Sequence, residues 1–238
     1  MRLDVALVVQ NIYPTRARAL AAIQAGLVTV NGDVVTKAAM AVSDTDVLRG
    51  GTLPYSVGRG SLKLERALDV FRVSPDGLRC LDIGASTGGF TSVLLSRGAT
   101  HVTAVDVGTD QLAPALRVDP RVTSLEQTDI RKLVPDAPVD LIVIDVSFIS
   151  LADIARVLPQ WGAKNIITLI KPQFEVPRSV AAKTGGVIRS DKWRTYAIDR
   201  AVAAMRAHGF DLRGIISSPI RGGSGNAEFL ARFVPVMA

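Results

Sequence analysis

The sequence predicts an α/β fold: a mainly parallel sheet covered by helices on both faces, preceded by a small α+β module. Runs of β-branched and apolar residues (LRCLDI, HVTAVDV, VDLIVIDVS, NIITLI) alternate with helical stretches such as FTSVLLSRG and LADIARVL, the order that builds a parallel sheet. Continuous apolar runs of this kind suit strands buried on both faces better than half-exposed ones. Upstream, RGGTLPYSVGRGS at residues 49–61 breaks the patterning with glycines and one proline and reads as a linker.

Before the linker, RLDVALVVQ reads as an apolar helix. A second helix, TRARALAAIQAG, is opened by Thr15 and closed by Gly26. LVTVNGDVVT then alternates strand residues around Asn31-Gly32, a dipeptide that tolerates the positive φ angles of a type I′ hairpin turn. The division is drawn at residues 1–56 for the small unit with its linker and 57–238 for the large one. After NIITLI the chain adds a long helix, DKWRTYAIDRAVAAMRAHG, opened at Ser190 or Asp191 and ended by Gly209, and two late strands, DLRGIISS and AEFLARFVP.

Composition narrows the function classes. At 238 residues and 48% hydrophobic content the chain can fill a core without covalent staples. The single cysteine, Cys80, excludes an internal disulfide and a cysteine-based metal site, and fits a reducing compartment. The N-terminal stretch has no cleavage-site pattern, and no run approaches the ~18 apolar residues of a membrane span, so a soluble cytoplasmic protein is expected. Net charge is +6 and the isoelectric point about 9.8, which suggests a polyanionic partner. Residues 176–221 hold nine basic and three acidic side chains, with Arg189 and Lys192 at the start of the long helix. Residues 1–48 balance four basic side chains against four acidic ones. A polyanion-binding face there would rest on Arg16 and Arg18, with Arg49, Arg59 and Arg66 added from the linker region.

The first strand of the large unit runs into LDIGASTGGF. A glycine-rich turn between strand and helix lets backbone approach a ligand, but glycines at 84, 88 and 89 do not spell GxGxxG, so a pyrophosphate is disfavoured and a nucleoside is not. Asp106 ends the second strand, where an acid can accept hydrogen bonds from ribose hydroxyls, and Asp129 follows the next apolar segment, within reach of an adenine amino group. With Asp82, these carboxylates favour a ligand that is cationic and phosphate-free. S-adenosylmethionine meets that description. The expected contacts are Asp82, Gly84, Ser86, Gly88, Phe90, Asp106, Asp129 and Asp145.

The stretch LIKPQFE ends a buried strand in a lysine and stops it with proline. Strand carboxyl ends line the ligand crevice of an open α/β sheet. Lys171 and Asp145, each at such an end, should therefore face each other at a site.

GRGSLKLERAL, LDIGASTGGFT, VTAVDVG, DLIVIDVSFISL, LIKPQFE and GNAEFL, in that order, resemble the haemolysin-A (TlyA-like) family of ribosomal RNA 2′-O-methyltransferases. The resemblance implies a Rossmann-like, FtsJ-like S-adenosylmethionine-dependent methyltransferase domain behind a small α+β RNA-binding domain similar to that of a ribosomal protein. It also implies ribosomal RNA or ribosomal subunits as partner, a cytidine ribose as target, no metal, and a catalytic tetrad of Lys63, Asp145, Lys171 and Glu228. The chemistry is coherent beside the resemblance. A ribose hydroxyl is a poor nucleophile that must be oriented and relieved of its proton. Lysine can accept that proton while part of its population is neutral, which burial and a neighbouring ammonium both favour. Lys171 is the expected contact to the hydroxyl. Asp145-Val146-Ser147-Phe148 lacks the paired prolines of exocyclic-nitrogen methyltransferases, and Cys80 lies in a core strand rather than at a site. Two rivals are a membrane-active protein, as the haemolysin label suggests, and a non-catalytic RNA-binding protein with a vestigial cofactor site. The long helix, alanine-rich on its apolar side and carrying two acids, fits sheet packing better than a bilayer.

Overall fold

The computed structural model describes residues 1–13, 16–24, 26–51 and 60–236, which fall into two compact units, Met1–Val57 and Gly58–Ala238. Thr15, the expected start of the second helix, and Arg59 lie outside the described residues, as does the Arg18 side chain.

In the first unit, helices α1 (Leu3–Val9) and α2 (Arg16–Gln24) pack Leu3, Leu7, Ala22 and Ile23 against Val28 and Val30 of a small sheet. Its strands are β1 (Val28–Val30), β2 (Asp33–Val34) and β3 (Leu48–Gly50), in the order β2-β1-β3 and antiparallel throughout. Asn31 (φ 56°) and Gly32 (φ 96°) form the β1–β2 turn, the two positive φ angles that a type I′ hairpin requires. The start of the linker needs correction, because residues 49 and 50 belong to β3. Buried Leu48 pairs with Val30, and that contact outweighs the glycine content that reads as linker.

Asp4 is buried in α1 and accepts hydrogen bonds from Arg2 (3.0 Å to Oδ1) and Arg16 (2.7 Å to Oδ2). Those bonds, Arg2 first, hold its carboxyl down at about 2. A depressed carboxylate contributes stability that is present above its unfolded value near 4 and is lost as pH falls through the folded one. Amide-exchange protection of α1 in the full chain should therefore exceed that of an Asp4→Asn variant at neutral pH. The difference should shrink as pH falls from about 4 toward about 2; a difference independent of pH would contradict the assignment.

The second unit is built on a seven-stranded sheet. Its strands are β4 (Arg79–Ile83), β5 (His101–Val105), β6 (Val122–Leu125), β7 (Leu141–Ile144), β8 (Asn165–Ile170), β9 (Phe210–Ser217) and β10 (Phe229–Pro235). The order is β6-β5-β4-β7-β8-β10-β9, with the first five parallel and β10 antiparallel to both neighbours. The chain steps outward from β4 through β5 to β6 and then returns to place β7 on the other side of β4. The crevice beyond the carboxyl ends of β4 and β7 is therefore the topological switch point, where ligands bind in open α/β sheets.

Helices α3 (Ser61–Phe71) and α4 (Gly89–Ser96) pack on each other, α3 also against β10 and α4 against β4 and β5. Short α5 (Pro114–Arg117) follows β5. Then α6 (Leu151–Ala155), α7 (Pro172–Glu175), α8 (Arg178–Lys183) and α9 (Asp191–Ala207) complete the helical layers, and α9 presses a stripe of Ala197, Ala201 and Met205 inward. α9 ends two residues before Gly209, as read from sequence, but Ser190 at its N-cap makes no side-chain capping bond. Among the described residues no helix is long and apolar enough to cross a membrane.

Candidate active site

Strand β4 ends at Ile83, and the chain turns through Gly84 at φ 83°. A Cβ there would stand 2.6 Å from the Asp145 carbonyl oxygen, so only glycine lets the two strand ends approach this closely. Asp106, just past β5, ties the facing loops together. Its Oδ2 accepts from the Ser86 amide (2.8 Å) and its Oδ1 from the Gly108 amide (2.7 Å). These segments enclose a cavity of about 530 Å³, lined by Gly84, Ser86, Asp106, Asp129, Asp145 and Phe148 among others, with Ile83, Val105, Ile130 and Ile149 supplying apolar wall.

Three expected cofactor contacts stand elsewhere. Strand alternation sends Asp82 with Cys80 to the face opposite Leu81 and Ile83, under α4, where its Oδ2 accepts from Thr91 Oγ1 at 2.6 Å. Burial pushes this carboxyl up to about 7. Gly88 (φ 93°) faces Leu116 and Leu112, into which a Cβ would run, and Phe90 is buried in α4. Asp129 does reach the cavity, but Arg131 holds it at 2.6 Å and keeps it ionised down to about 2. Of the lining carboxylates, Asp106 has backbone amides but no cation as partner, so its charge is left to the cavity.

Asp145 also belongs to a second constellation. Lys171 follows β8 and places Nζ 2.7 Å from Asp145 Oδ1. That contact is electrostatic; the ammonium directs a hydrogen bond at Ser147 Oγ, 2.9 Å away, and Asp145 Oδ1 accepts none. Lys63, on the inner side of α3, lies 2.7 Å from Glu228 Oε2 and 3.9 Å from Asp145 Oδ2. Glu228 precedes β10 and is 4% exposed. Glu228–Lys63–Asp145–Lys171 is therefore a continuous, electrically neutral chain of charges from the interior to the cavity rim.

A family model described as FtsJ-like methyltransferase matches residues 56–233, and one described as S4 domain matches residues 1–48. The chain belongs to the FtsJ-like methyltransferases. It is 43% identical over 235 residues to the 16S/23S rRNA (cytidine-2′-O)-methyltransferase TlyA of Mycobacterium tuberculosis, covering 96% of this chain and 87% of that one. A solved structure from Streptococcus thermophilus, named as a hemolysin, is 40% identical with a TM-score of 0.74, covering 100% of this chain and 89% of its own. An S-adenosylmethionine-dependent methyltransferase from Mesorhizobium loti, 16% identical with a TM-score of 0.52 over 71% of this chain and 96% of its own, shares the fold alone.

For an FtsJ-like methyltransferase, two residues that sequence reasoning missed stand out. Ser147 takes the hydrogen bond from Lys171, and Phe148 is 92% exposed at φ 66°, a backbone conformation uncommon for a bulky residue, with its ring 5.2 Å from that of Phe174. Neither carries a periodicity or composition signal. Of the basic residues expected to meet RNA, Arg189 and Lys192 are exposed at the start of α9, and Arg16 is exposed but engaged with Asp4.

The donor set of the cavity fits S-adenosylmethionine: free carboxylate charge, close glycine backbone at the strand end, and an arginine already neutralised by Asp129. Replacing Asp106 by alanine is expected to weaken S-adenosylmethionine binding about ten- to hundredfold, the loss of a hydrogen-bonding group in a closed site. Unchanged affinity in calorimetry would mean that the cofactor lies elsewhere.

Proposed function

We propose that this FtsJ-like enzyme transfers a methyl group from S-adenosylmethionine to the 2′-hydroxyl of a cytidine ribose in ribosomal RNA, working in the cytoplasm. The observation that carries the reading is Asp145, which lines the cofactor cavity and at the same time holds Lys171 at 2.7 Å. One residue thereby joins the cofactor side of the crevice to the side where an acceptor enters. The M. tuberculosis relative, named for cytidine-2′-O methylation of 16S and 23S rRNA, supports the substrate.

When bound, S-adenosylmethionine supplies an electrophilic methyl group on a sulfonium. Asp106 would hold its ribose hydroxyls, and Gly84 and Ser86 would lie along its backbone-facing side. Lys171 Nζ binds and orients the acceptor hydroxyl and, in its unprotonated form, takes the hydroxyl proton as the oxygen–methyl bond forms and the methyl–sulfur bond breaks, which leaves Lys171 as the ammonium. Asp145 fixes that ammonium from one side and Ser147 from another. Lys63 and Glu228 balance the charge behind them, so the cluster has no net charge to attract water or a wrong ion. Phe148 offers an exposed aromatic face at the rim on which an unstacked base can rest, a sequence-tolerant way of holding single-stranded RNA. Exposed Arg189 and Lys192 would meet phosphates, and the S4 domain would supply register on the folded RNA.

Incubating the full chain with methyl-tritiated S-adenosylmethionine and ribosomal subunits from cells lacking the protein tests this reading. Label in RNA is expected. Cofactor and RNA binding with no label in RNA would favour a non-catalytic RNA-binding protein.

A further inference from the structure

The final residue of LIKPQFE has no part in the reaction above, yet Glu175 is 3% exposed. Its Oε1 accepts from the Leu151 amide at 2.7 Å and its Oε2 from Ser150 Oγ at 2.7 Å. Arg200 donates to the Glu175 backbone carbonyl at 2.6 Å rather than to the carboxylate. Burial raises the carboxyl above its ordinary range, and the bonds from Leu151 and Ser150 oppose that rise. Burying such a group is costly unless it is hydrogen-bonded, and here both of its oxygens accept from the start of α6.

What it fixes is the arch of residues 146–149. The arch starts at Asp145, whose amide is bonded to the Ile83 carbonyl at 2.9 Å, and ends at Ser150 and Leu151, where Glu175 holds it. Along the way Lys171 bonds Ser147, and Phe174 meets Phe148 ring to ring. Lys171, Phe174 and Glu175 of KPQFE thus contact, in that order, Ser147, Phe148 and the foot of the arch. A left-handed phenylalanine such as Phe148 persists only where its surroundings over-determine it, and Glu175 closes the foot of that arch.

We infer that Glu175 is a positioning residue for the RNA acceptor: by anchoring Ser150 and Leu151 it sets Ser147 and Phe148 beside Lys171. The inference rests on the methyl-transfer reading above. A residue that merely caps α6 would support the whole unit alike, the cofactor cavity included. One that acts through the arch should affect the acceptor more than the cofactor: residues 146–149 also line the cavity, but Gly84, Ser86 and Asp106 lie outside the arch.

The test is a cycle of Glu175→Gln, Phe148→Ala and the double variant in the full chain, with kcat and KM for ribosomal subunits and calorimetry with S-adenosylmethionine. Glutamine keeps the shape but can accept only one of the two donors through its carbonyl oxygen. Glu175→Gln should lower kcat/KM for RNA about tenfold, with a smaller loss of cofactor affinity. Phe148→Ala should lower it at least as far, and the double variant should be no worse than Phe148→Ala alone, because both act through one element. Losses that multiply, a Phe148→Ala enzyme with wild-type kinetics, or a Glu175→Gln loss matched by equal loss of cofactor affinity each contradict the inference. Should Glu175→Gln not fold, Ser150→Ala removes one of the two anchoring bonds and should show a smaller acceptor-specific loss; wild-type kinetics there would reject the arch. A wild-type chain that labels no RNA fails the methyl-transfer reading itself, whereas active wild type with multiplicative variants fails this inference only.

Discussion

Lys171→Ala is expected to cut methyl transfer about 10²- to 10⁴-fold, the range that a positioned proton-transfer group contributes, while S-adenosylmethionine affinity stays within a few fold. Lys171 contacts Asp145 and Ser147 at the rim and is not part of the cavity wall. Its removal therefore takes away the group proposed to hold the acceptor oxygen and leaves the cavity wall in place. Asp145 then loses its nearer ammonium but keeps Lys63 at 3.9 Å, so the variant should fold. A tritium-transfer assay beside calorimetry reads both halves. Turnover near the wild-type rate would remove Lys171 from the mechanism, and a parallel collapse of cofactor affinity would move it into the cofactor site.

The second large effect is on stability as well as rate. Lys63→Met leaves the Glu228 carboxylate, 4% exposed and bonded to Lys63 at 2.7 Å, without its cation. Breaking a buried pair from one side costs roughly 3–5 kcal/mol. In a unit of this size that lowers the melting temperature by roughly 6 to 20 °C. Adding Glu228→Gln to Lys63→Met should recover most of the lost stability, since no bare charge remains, but not the activity, since the cluster that sets Asp145 and Lys171 stays broken. Differential scanning calorimetry and the transfer assay on the single and double variants separate the two consequences. A Lys63→Met protein that melts like wild type would show that the pair bears no buried charge and that Lys63 does not organise the site.

The parallel core was legible because buried strands write themselves as unbroken apolar runs. LIVI and NIITLI have no polar residue on either face except Asn165 and Thr168, and both are strands between helical layers. The Asn31-Gly32 hairpin was legible because its two backbone angles need those residue types. The strand at residues 48–50 was not, since its stabilising contact is a pairing with β1 across an intervening loop, and its own residues include a glycine. Asp82 shows a different kind of miss. Position after an apolar run suggested a strand end facing ligand, but alternation along β4 places it with Cys80 under α4, a parity the sequence did contain. Asp129 lost its free charge to Arg131 two residues on, a turn contact with no periodic signature. The interlock of KPQFE with the arch of residues 146–149 is tertiary, and only the fold brings those two strand ends side by side.

The tetrad was implied by the family resemblance, and what the fold adds is connection: Asp145 lines the cavity and contacts both lysines. The central claim, transfer to a ribose oxygen of cytidine, is tested most directly by digesting subunit RNA methylated by the purified chain to nucleosides and locating the new methyl group by mass spectrometry. 2′-O-methylcytidine as the product is predicted. A methyl group on a base, or on the ribose of another nucleoside alone, would contradict it.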